Sequence, residues 1–383
     1  MKSVLFINYE YPPTGAGAAN AAWHFANGIA ARNIRTSVLT SAYRSHRGSV
    51  TEGLVTVHRI AALRRHAEKS SFLQMACFTF SALLRLAPVI RRESPDVIVV
   101  FFSIPCGPAA LYARMKWGIP YAVMLRGGDV PGSDPRLSRI HRMLTPIRRL
   151  VYRKSIAIIA NSESLGRMAE SADRTFTVAV VANGVDTSFF SPAIANGSAS
   201  SRPFTFLFVG RICPQKNLSL LLEAFADCLS DFPALRLVLV GDGPDRPRLD
   251  ALAHRLDITH ALTWTGWETR KGLLMRYRKT DCFVNPSINE GMPNAVLEAM
   301  SCALPVVASD CTGNRDLVAD GVSGLLFRSG SSDDIKCKLR MLINNTSAAR
   351  AMGSAAREIC CKRYSWSAST DRLLRIISEG YAP

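Results

Sequence analysis

The chain has 383 residues, of which 48% are hydrophobic and 20% are charged, a composition typical of a globular protein and not of a disordered one. This length is sufficient for two domains with separate cores. No apolar stretch is expected to reach the roughly 18–20 residues of a transmembrane helix, and the N-terminus lacks a signal-peptide cleavage pattern. The ten cysteines are scattered without a Cys-x-x-Cys pair, so we expect reduced thiols and neither disulfides nor a metal site.

The net charge of +17 is unevenly distributed: residues 1–190 carry +13 and residues 191–383 carry +4. A basic half indicates an anionic partner, either nucleic acid or an anionic membrane surface. Arginines and lysines border the helical segments 72–92 and 136–154. This pattern fits peripheral membrane helices and, equally, core-packed helices with solvated arginines. No nucleic-acid-binding module is recognisable, so nucleic acid is not an expected partner.

Short apolar strands alternate with helical stretches along both halves, which predicts parallel sheets with crossover helices. The predicted strands of the first half are 4–8, 36–39, 96–101, 121–125, 156–160 and 177–181, with helices at 20–32 and 72–92. Those of the second half are 205–209, 236–240, 262–265, 282–285 and 305–308, with helices at 218–230 and 246–256. The small, polar segment 191–203 is the predicted linker. The predicted fold class is therefore α/β, with two doubly wound domains, 1–190 and 204–364, facing each other across a ligand-binding cleft.

Two glutamates, Glu290 and Glu298, are separated by seven residues in a run that reads as strand end, tight loop and helix. Pro293 suits the first helical turn, where a missing N–H costs nothing. A helix that starts beside such a loop offers unpaired N–H groups and a positive dipole end to an anion. The candidate anion-binding residues at this helix start are Gly291, Met292, Pro293 and Asn294. By itself the spacing is a weak signal, because Glu290 could be a surface loop residue and Glu298 a solvated helix residue.

Two further loops follow strands directly. In one, Gly210, Arg211 and Lys216 would place two cations and backbone N–H groups where they can clamp a diphosphate, although a basic surface loop has the same sequence pattern. In the other, Gly15 and Gly17 would let the backbone approach a phosphate or sugar closely. A nicotinamide-dependent enzyme is a poor fit, because the third glycine of that motif and a ribose-binding acid are missing.

The stretch 285–327 closely resembles the C-terminal signature of the retaining glycosyltransferases of family 4, and segments 161–163 and 182–192 match the family pattern at the end of its first domain. The resemblance implies the GT-B fold, two facing Rossmann-like domains, with the last helix (365–383) returning to the first domain. It implies that Arg211 and Lys216 bind the β-phosphate of a nucleotide-sugar donor. Glu290 would then hold sugar hydroxyls and Glu298 the ribose, while the Gly15–Gly17 loop would close over the donor from the opposite domain.

The loop after the strand at 121–125 departs from the family pattern. Many family members carry a histidine near the transferred sugar where this chain has Arg126. Arginine can hydrogen-bond a sugar or phosphate but cannot act as a base at neutral pH. Asp129 could orient an acceptor hydroxyl or cap the following turn. Both residues are predicted site residues on these grounds.

The sequence contains no Asp-x-Asp triplet, so a metal-held diphosphate is not expected, nor is any other cofactor. The resemblance implies front-face retention, in which the departing phosphate oxygen takes the proton of the acceptor. The expected function is a retaining glycosyltransferase that moves a sugar from a UDP- or GDP-sugar to a glycan or lipid-linked acceptor. It would act in the cytoplasm or at the cytoplasmic face of the membrane, in cell-surface polysaccharide or glycolipid synthesis. Two alternatives stay open: a nucleotide-sugar epimerase or hydrolase of the same fold, and a non-catalytic donor-binding subunit.

Overall fold

The computed structural model describes residues 1–15, 17–64, 66, 70–132, 137–193 and 202–381. The chain divides into two compact units, the first formed by Met1–Asn183 with Trp366–Pro383 and the second by Gly184–Ser365. The division falls earlier than the predicted boundary at residue 190, because Val185 and Phe190 belong to the hydrophobic core of the second unit. Most of the predicted linker 191–203 lies outside the described residues.

The described strands and helices largely follow the predicted alternation. The strands are β1 (Ser3–Ile7), β2 (Arg35–Ser41), β3 (Gly48–Glu52), β4 (Val55–Ile60), β5 (Val97–Phe101), β6 (Tyr121–Met124), β7 (Ala157–Ala160), β8 (Ala179–Val180), β9 (Thr205–Val209), β10 (Arg236–Val240), β11 (Leu262–Gly266), β12 (Cys282–Asn285), β13 (Val306–Ser309) and β14 (Gly324–Phe327). The helices are α1 (Gly17–Ala30), α2 (Phe72–Glu93), α3 (Gly107–Trp117), α4 (Ser138–Lys154), α5 (Glu163–Ala172), α6 (Leu218–Asp231), α7 (Arg246–Arg255), α8 (Arg270–Arg278), α9 (Asn294–Ser301), α10 (Thr312–Arg315), α11 (Ser332–Asn344), α12 (Thr346–Arg363) and α13 (Trp366–Tyr381).

The first unit is built on an eight-stranded sheet of order β3-β4-β2-β1-β5-β6-β7-β8. Its neighbouring strands are parallel except for the β3–β4 pair, an antiparallel hairpin at the sheet edge. The hairpin was not predicted, because β3 is exposed and polar and has no apolar run to mark it. Strand β1 has β2 as its neighbour on one side and β5 on the other. The strand order therefore reverses direction at β1, and the carboxyl end of β1 is a topological switch point. Gly15 and Gly17 follow β1 at this point.

The last helix, α13, packs against α1 in the first unit. Leu373 and Ile377 of α13 are fully buried in one core cluster with Phe25 of α1. A Cβ added to Gly28 of α1 would lie 2.6 Å from Oγ1 of Thr370, so the two helices are in close contact there. The C-terminal helix therefore completes the core of the first unit.

The second unit is built on a six-stranded parallel sheet of order β11-β10-β9-β12-β13-β14. Counted along the chain this is the order 3-2-1-4-5-6 of nucleotide-binding Rossmann folds. The switch point lies between β9 and β12, so the loops that follow these two strands meet at one edge of the sheet. Apolar clusters cover both faces of the sheet, which explains why its strands are almost continuously apolar.

All ten cysteines are free thiols. Among the described residues one helix, α2, has the length and apolar composition of a membrane-spanning helix, contrary to the expectation from sequence. Its buried residues Phe78, Ala82 and Leu86 are part of the core under the first sheet. Helix α2 is therefore the crossover helix between β4 and β5.

Two glycines after β10 pack backbone against backbone on the loop after β9. A Cβ on Gly241 would lie 1.9 Å from the carbonyl oxygen of Gly210, and a Cβ on Gly243 would lie 2.1 Å from that of Ile212. Gly241 also has a φ of +124°, which side chains rarely adopt. The two glycines therefore form a tight turn that supports the loop after β9.

The Gly241→Ala substitution should destabilise the protein by roughly 2–4 kcal/mol, because it combines a left-handed backbone with an overlap onto the Gly210 carbonyl. Gly330→Ala is the matched control, since Gly330 has a φ of +82° but nothing within 4 Å of the added Cβ. The control substitution should lower the free energy of unfolding by only about 1–2 kcal/mol. Chemical unfolding of the two variants measures the difference, and equal losses would contradict the packing described.

Candidate functional site

Three loops at the carboxyl edge of the second sheet are bound to one another. They follow β9, β12 and β13, which are neighbours in the sheet. Gln215 joins the first two loops: its carbonyl accepts a hydrogen bond from the Ile288 amide at 2.9 Å, and its Nε2 donates to the Asn289 carbonyl at 2.7 Å. The switch-point loops therefore form one continuous surface.

Lys216 and Glu290 form an ion pair on this surface. The ammonium group of Lys216 donates to Oε1 of Glu290, and the side chains are only 19% and 10% exposed. Oγ of Ser287 lies 2.7 Å from the same oxygen. Oε2 of Glu290 makes no hydrogen bond with the described residues. One carboxylate oxygen is thus held in place while the other is available to a ligand.

A buried polar network lies beneath Glu290. Nδ2 of Asn285 donates to Oδ1 of Asn314 at 2.8 Å, and Nδ2 of Asn314 donates to the Ser309 carbonyl at 3.0 Å. Oγ of Ser309 donates to the Ser287 carbonyl. Oγ of Ser287 lies 2.8 Å from Oδ1 of Asn285. These side chains are 0–3% exposed, so their hydrogen bonds replace water and fix the loop that carries Glu290.

Gly313 holds this loop from the other side. Its amide donates to the Glu290 carbonyl at 3.1 Å. A Cβ at position 313 would lie 2.6 Å from that carbonyl and 2.7 Å from the carbonyl of Gly291. Only glycine permits so close an approach of the two loops.

Helix α9 begins at Asn294, one residue later than the sequence suggested. Pro293 is the preceding N-cap residue, with ψ at 103°, and is buried. Gly291 and Asn294 are exposed and Met292 is half-buried. The Val296 amide donates to the Pro293 carbonyl at 3.1 Å, whereas the amides of Asn294 and Ala295 make no hydrogen bond with the described residues. These two amides allow the helix start next to Glu290 to receive an anion.

Arg211 lies on the same edge of the sheet, after β9. Its side chain is exposed and has no hydrogen-bond or ion-pair partner among the described residues. Gly210 lies beneath Lys216: a Cβ there would be 3.6 Å from Cε of the lysine and 3.0 Å from the Phe208 ring. The loop after β9 therefore presents one paired and one unpaired cation.

Glu298 has a different environment from Glu290. It lies inside α9, where Oε2 accepts a hydrogen bond of 2.9 Å from the hydroxyl of the fully buried Tyr277. Burial raises the pKa of the Glu298 carboxyl to about 7, and the Tyr277 hydrogen bond and the charge of Arg270 only partly oppose this. Glu298 is therefore not an ordinary solvated helix residue.

Asp129, in the first unit, braces a loop. One carboxylate oxygen accepts the Ser103 amide at 2.7 Å and the other accepts the Arg126 amide at 2.9 Å. Burial raises the pKa of this carboxyl. Both donors precede Asp129 in the chain, so the carboxylate ties the loop that starts at Arg126 to Ser103 and does not cap the following turn. Its role in orienting an acceptor stays a prediction.

Arg126 lies against aromatic rings. Its guanidinium carbon is 4.3 Å from the Phe101 ring centroid, and Nη1 donates to Oδ1 of Asn183 at 2.7 Å. Nε is buried and makes no hydrogen bond with the described residues. Burial lowers the pKa of Arg126 to about 9, so the side chain is still charged at pH 7. It is a fixed cation and not a base.

Sequence reasoning missed the residues that position the site: Gln215, Tyr277, Asn285, Ser287, Ser309 and Asn314. Several of them directly follow or end apolar strands, and this position was an available signal. Gly15 and Gly17 lie in the first unit, and Gly15 has a φ of +88°. Within the described part of the chain, no three His, Cys, Asp or Glu side chains are grouped so as to hold a metal ion.

The Asn314→Ala substitution should destabilise the protein by about 1–3 kcal/mol, because it leaves the amide of Asn285 buried without its acceptor. Asn344→Ala, at the exposed end of α11, is the control and should change little. Chemical unfolding of both variants tests the network. Equal stabilities would show that the network contributes nothing.

The raised pKa of Glu298 predicts a pH-dependent stability difference. The folded state holds the Glu298 proton more tightly than the unfolded chain does. The protonated carboxyl therefore contributes most to the free energy of unfolding below about pH 4.5, and this contribution is lost as the pH rises toward about 7. Relative to Glu298→Gln, the native protein should therefore lose stability across this interval. Unfolding of both proteins at several pH values measures it, and a constant difference would contradict the described environment.

The chain is similar to known proteins over both of its halves. The family described as Glycosyl transferases group 1 matches residues 192–359, and Glycosyltransferase Family 4 matches residues 15–189. The D-inositol 3-phosphate glycosyltransferase of Geodermatophilus obscurus is 30% identical, over 90% of this chain and 81% of its own length. The GDP-mannose-dependent alpha-mannosyltransferase of Mycobacterium tuberculosis is 31% identical, over 72% of this chain and 70% of its own length.

Among solved structures, Anabaena HepE in complex with UDP and glucose superposes with a TM-score of 0.73 at 20% identity, covering 99% of this chain and 100% of its own. At this identity the likeness concerns the fold alone. It agrees with two parallel-sheet α/β units of the GT-B type. Together with the two family matches and the two relatives of 30% and 31% identity, it identifies the chain as a GT-B glycosyltransferase of family 4.

Proposed function

We propose that the protein is a retaining glycosyltransferase that takes its sugar from a UDP- or GDP-sugar and passes it to a glycan or lipid-linked acceptor without a metal ion. The observation that carries this proposal is the Lys216–Glu290 pair at the switch point of the second sheet. Ligands of open α/β sheets bind at such points. The family membership supplies the reaction class.

The cations at this edge suit a diphosphate. An ammonium group has three donors, and Lys216 uses one of them on Glu290. The exposed Arg211 and the start of α9 lie on the same edge of the sheet. Fixed positive groups of this kind stabilise charge that develops on a departing phosphate. We infer that they neutralise the nucleoside diphosphate as the sugar bond breaks.

The two carboxylates would hold the two ends of the donor. Oε2 of Glu290 is available to accept from a sugar hydroxyl. Glu298, with a pKa of about 7, is present in both protonation states near neutral pH, so it can accept from or donate to the ribose diol. The different environments of the two residues support different roles.

Front-face retention is the mechanism that this arrangement favours. A double displacement needs a carboxylate that attacks the sugar, but Glu290 is paired with Lys216 and lies next to Ser287, which lowers its nucleophilicity. In the front-face scheme the bond from the sugar to the phosphate oxygen breaks as the acceptor oxygen forms its new bond on the same face. The acceptor proton passes to the departing phosphate oxygen.

The relatives support the choice of donor, because one is named for GDP-mannose and a structural neighbour was solved with UDP. The acceptor class, a place in cell-surface polysaccharide or glycolipid synthesis and a cytoplasmic location are part of the same proposal. A non-catalytic donor-binding subunit is the second candidate. It is favoured by Arg126, which is fixed between Phe101 and Asn183 where many family members have a histidine.

Incubation with a panel of UDP- and GDP-sugars, with and without glycan and lipid acceptor extracts, tests the proposal. Acceptor-dependent release of UDP or GDP, with product of retained anomeric configuration, is expected. Release or epimerisation of the donor without an acceptor would indicate a hydrolase or epimerase. Tight donor binding without any release would indicate the donor-binding subunit.

Lys216→Ala and Glu290→Ala should each lower turnover by about 10²–10³-fold, the range found when one preorganised electrostatic group is removed. Lys336→Ala is the matched control, because Lys336 pairs with Asp227 on an exposed helix surface remote in sequence from the site. Nucleotide release by each folded variant is the measurement. Near-normal rates in both site variants would refute the site assignment.

A further inference from the structure

An exposed apolar stripe runs along α2 in the first unit. Phe72, Leu73, Phe80 and Leu84 are 57%, 71%, 65% and 64% exposed. Phe72, Phe80 and Leu84 lie at multiples of four residues, which places them on one helix face. No charged residue occurs in 72–84. The outer face of a helix that covers a sheet is ordinarily polar, so this stripe marks a candidate interaction surface.

A second stripe lies on α4, in the same helix layer. Helix α3 packs against both α2 and α4, and these helices cover one face of the sheet. On α4, Met143, Ile147 and Leu150 are 72%, 46% and 45% exposed. Met115, near the end of α3, is 72% exposed. We call the exposed apolar residues of α2, α3 and α4 the apolar face.

Arginines border the apolar face. Arg85, Arg91 and Arg92 are exposed at the C-terminal half of α2. On α4 the exposed arginines are Arg139, Arg142, Arg149 and Arg153, of which Arg149 is paired with Asp173. Helices α3 and α4 contain no acidic residue, and the one acid of α2, Glu93, is buried against His58. The rim therefore has a net positive charge.

A cavity of about 600 Å³ opens beside the stripe on α2. Leu84, Arg85, Pro88 and Arg92 line it from the helix, and Ser49 and Arg59 line it from the β3–β4 hairpin. Arg59 is paired with Glu52, whereas Arg85 has no ion-pair or hydrogen-bond partner among the described residues. A phosphate group of a lipid could enter the cavity while the chains contact Phe80 and Leu84.

We propose that the apolar face of α2, α3 and α4 binds an anionic phospholipid surface, with lipid phosphates at the arginine rim. Apolar side chains would enter the boundary between headgroups and acyl chains, and arginines would pair with the headgroups. A second copy of the chain fits less well, because association through this face would bring two positive rims together. Helix α2 lies on the membrane and does not span it, since Phe78, Ala82 and Leu86 are held in the core.

Sedimentation with vesicles tests the proposal without donor or acceptor, so its failure would leave the transferase proposal untouched. The protein should bind vesicles of phosphatidylcholine with phosphatidylglycerol, bind phosphatidylcholine alone far more weakly, and dissociate at high salt. The double variant Phe80→Ser/Leu84→Ser and the double variant Arg85→Gln/Arg142→Gln should each weaken binding about tenfold or more.

Two control variants lie in the second unit. Met341→Ser removes an apolar side chain that is 49% exposed on α11, and Arg350→Gln removes an exposed charge on α12. Both should bind anionic vesicles as the native protein does. Absence of vesicle binding, or equal binding by all variants, would overturn the proposal. A dimer that dissociates on Phe80→Ser/Leu84→Ser, without vesicle binding, would show that a second copy covers the face.

Discussion

The polar contacts that run from Asn314 through Asn285 and Ser287 to Glu290 determine the shape of the candidate site, with the one hydroxyl proton of Ser287 shared between Oδ1 of Asn285 and Oε1 of Glu290. They join loops that follow different strands, and no single loop could hold Glu290 in place by its local sequence. Because the network is buried, each broken bond leaves a polar group without water or a partner, at a cost of about 1–3 kcal/mol. The close contact of Gly313 with the Glu290 carbonyl adds a steric limit to the same loop. The site is thus preorganised before any ligand arrives.

Preorganisation matters because the proposed chemistry is electrostatic. Lys216 is positioned by Glu290, and the same contact leaves donors of the ammonium group for a phosphate. Glu298 lies one to two turns further along α9 against Tyr277, where burial gives it a raised pKa. Two carboxylates that look alike in sequence therefore have distinct properties. One carboxylate is paired with a lysine, and burial raises the pKa of the other to about 7.

The strands were predictable because buried parallel strands are short apolar runs, and β9, β10 and β12 have the predicted bounds. The β3–β4 hairpin was not, since its edge strand is exposed and polar. The family resemblance indicated Lys216 and Glu290, but not that they pair with each other across 74 positions of the sequence. Likewise, local sequence does not reveal that the Ser103 amide, 26 positions away, donates to Asp129. Pairing between distant loops depends on strand order, which local patterns do not reveal.

The central claim is that the Lys216–Glu290 edge of the second sheet binds a nucleoside diphosphate. Calorimetric titration of UDP and GDP into the native protein and Lys216→Ala, with Lys336→Ala as control, tests it most directly. At least one of the two nucleotides should bind the native protein and the control alike, and Lys216→Ala should bind it about tenfold or more weakly. Equal affinity for the native protein and Lys216→Ala, or no binding of either nucleotide, would contradict it.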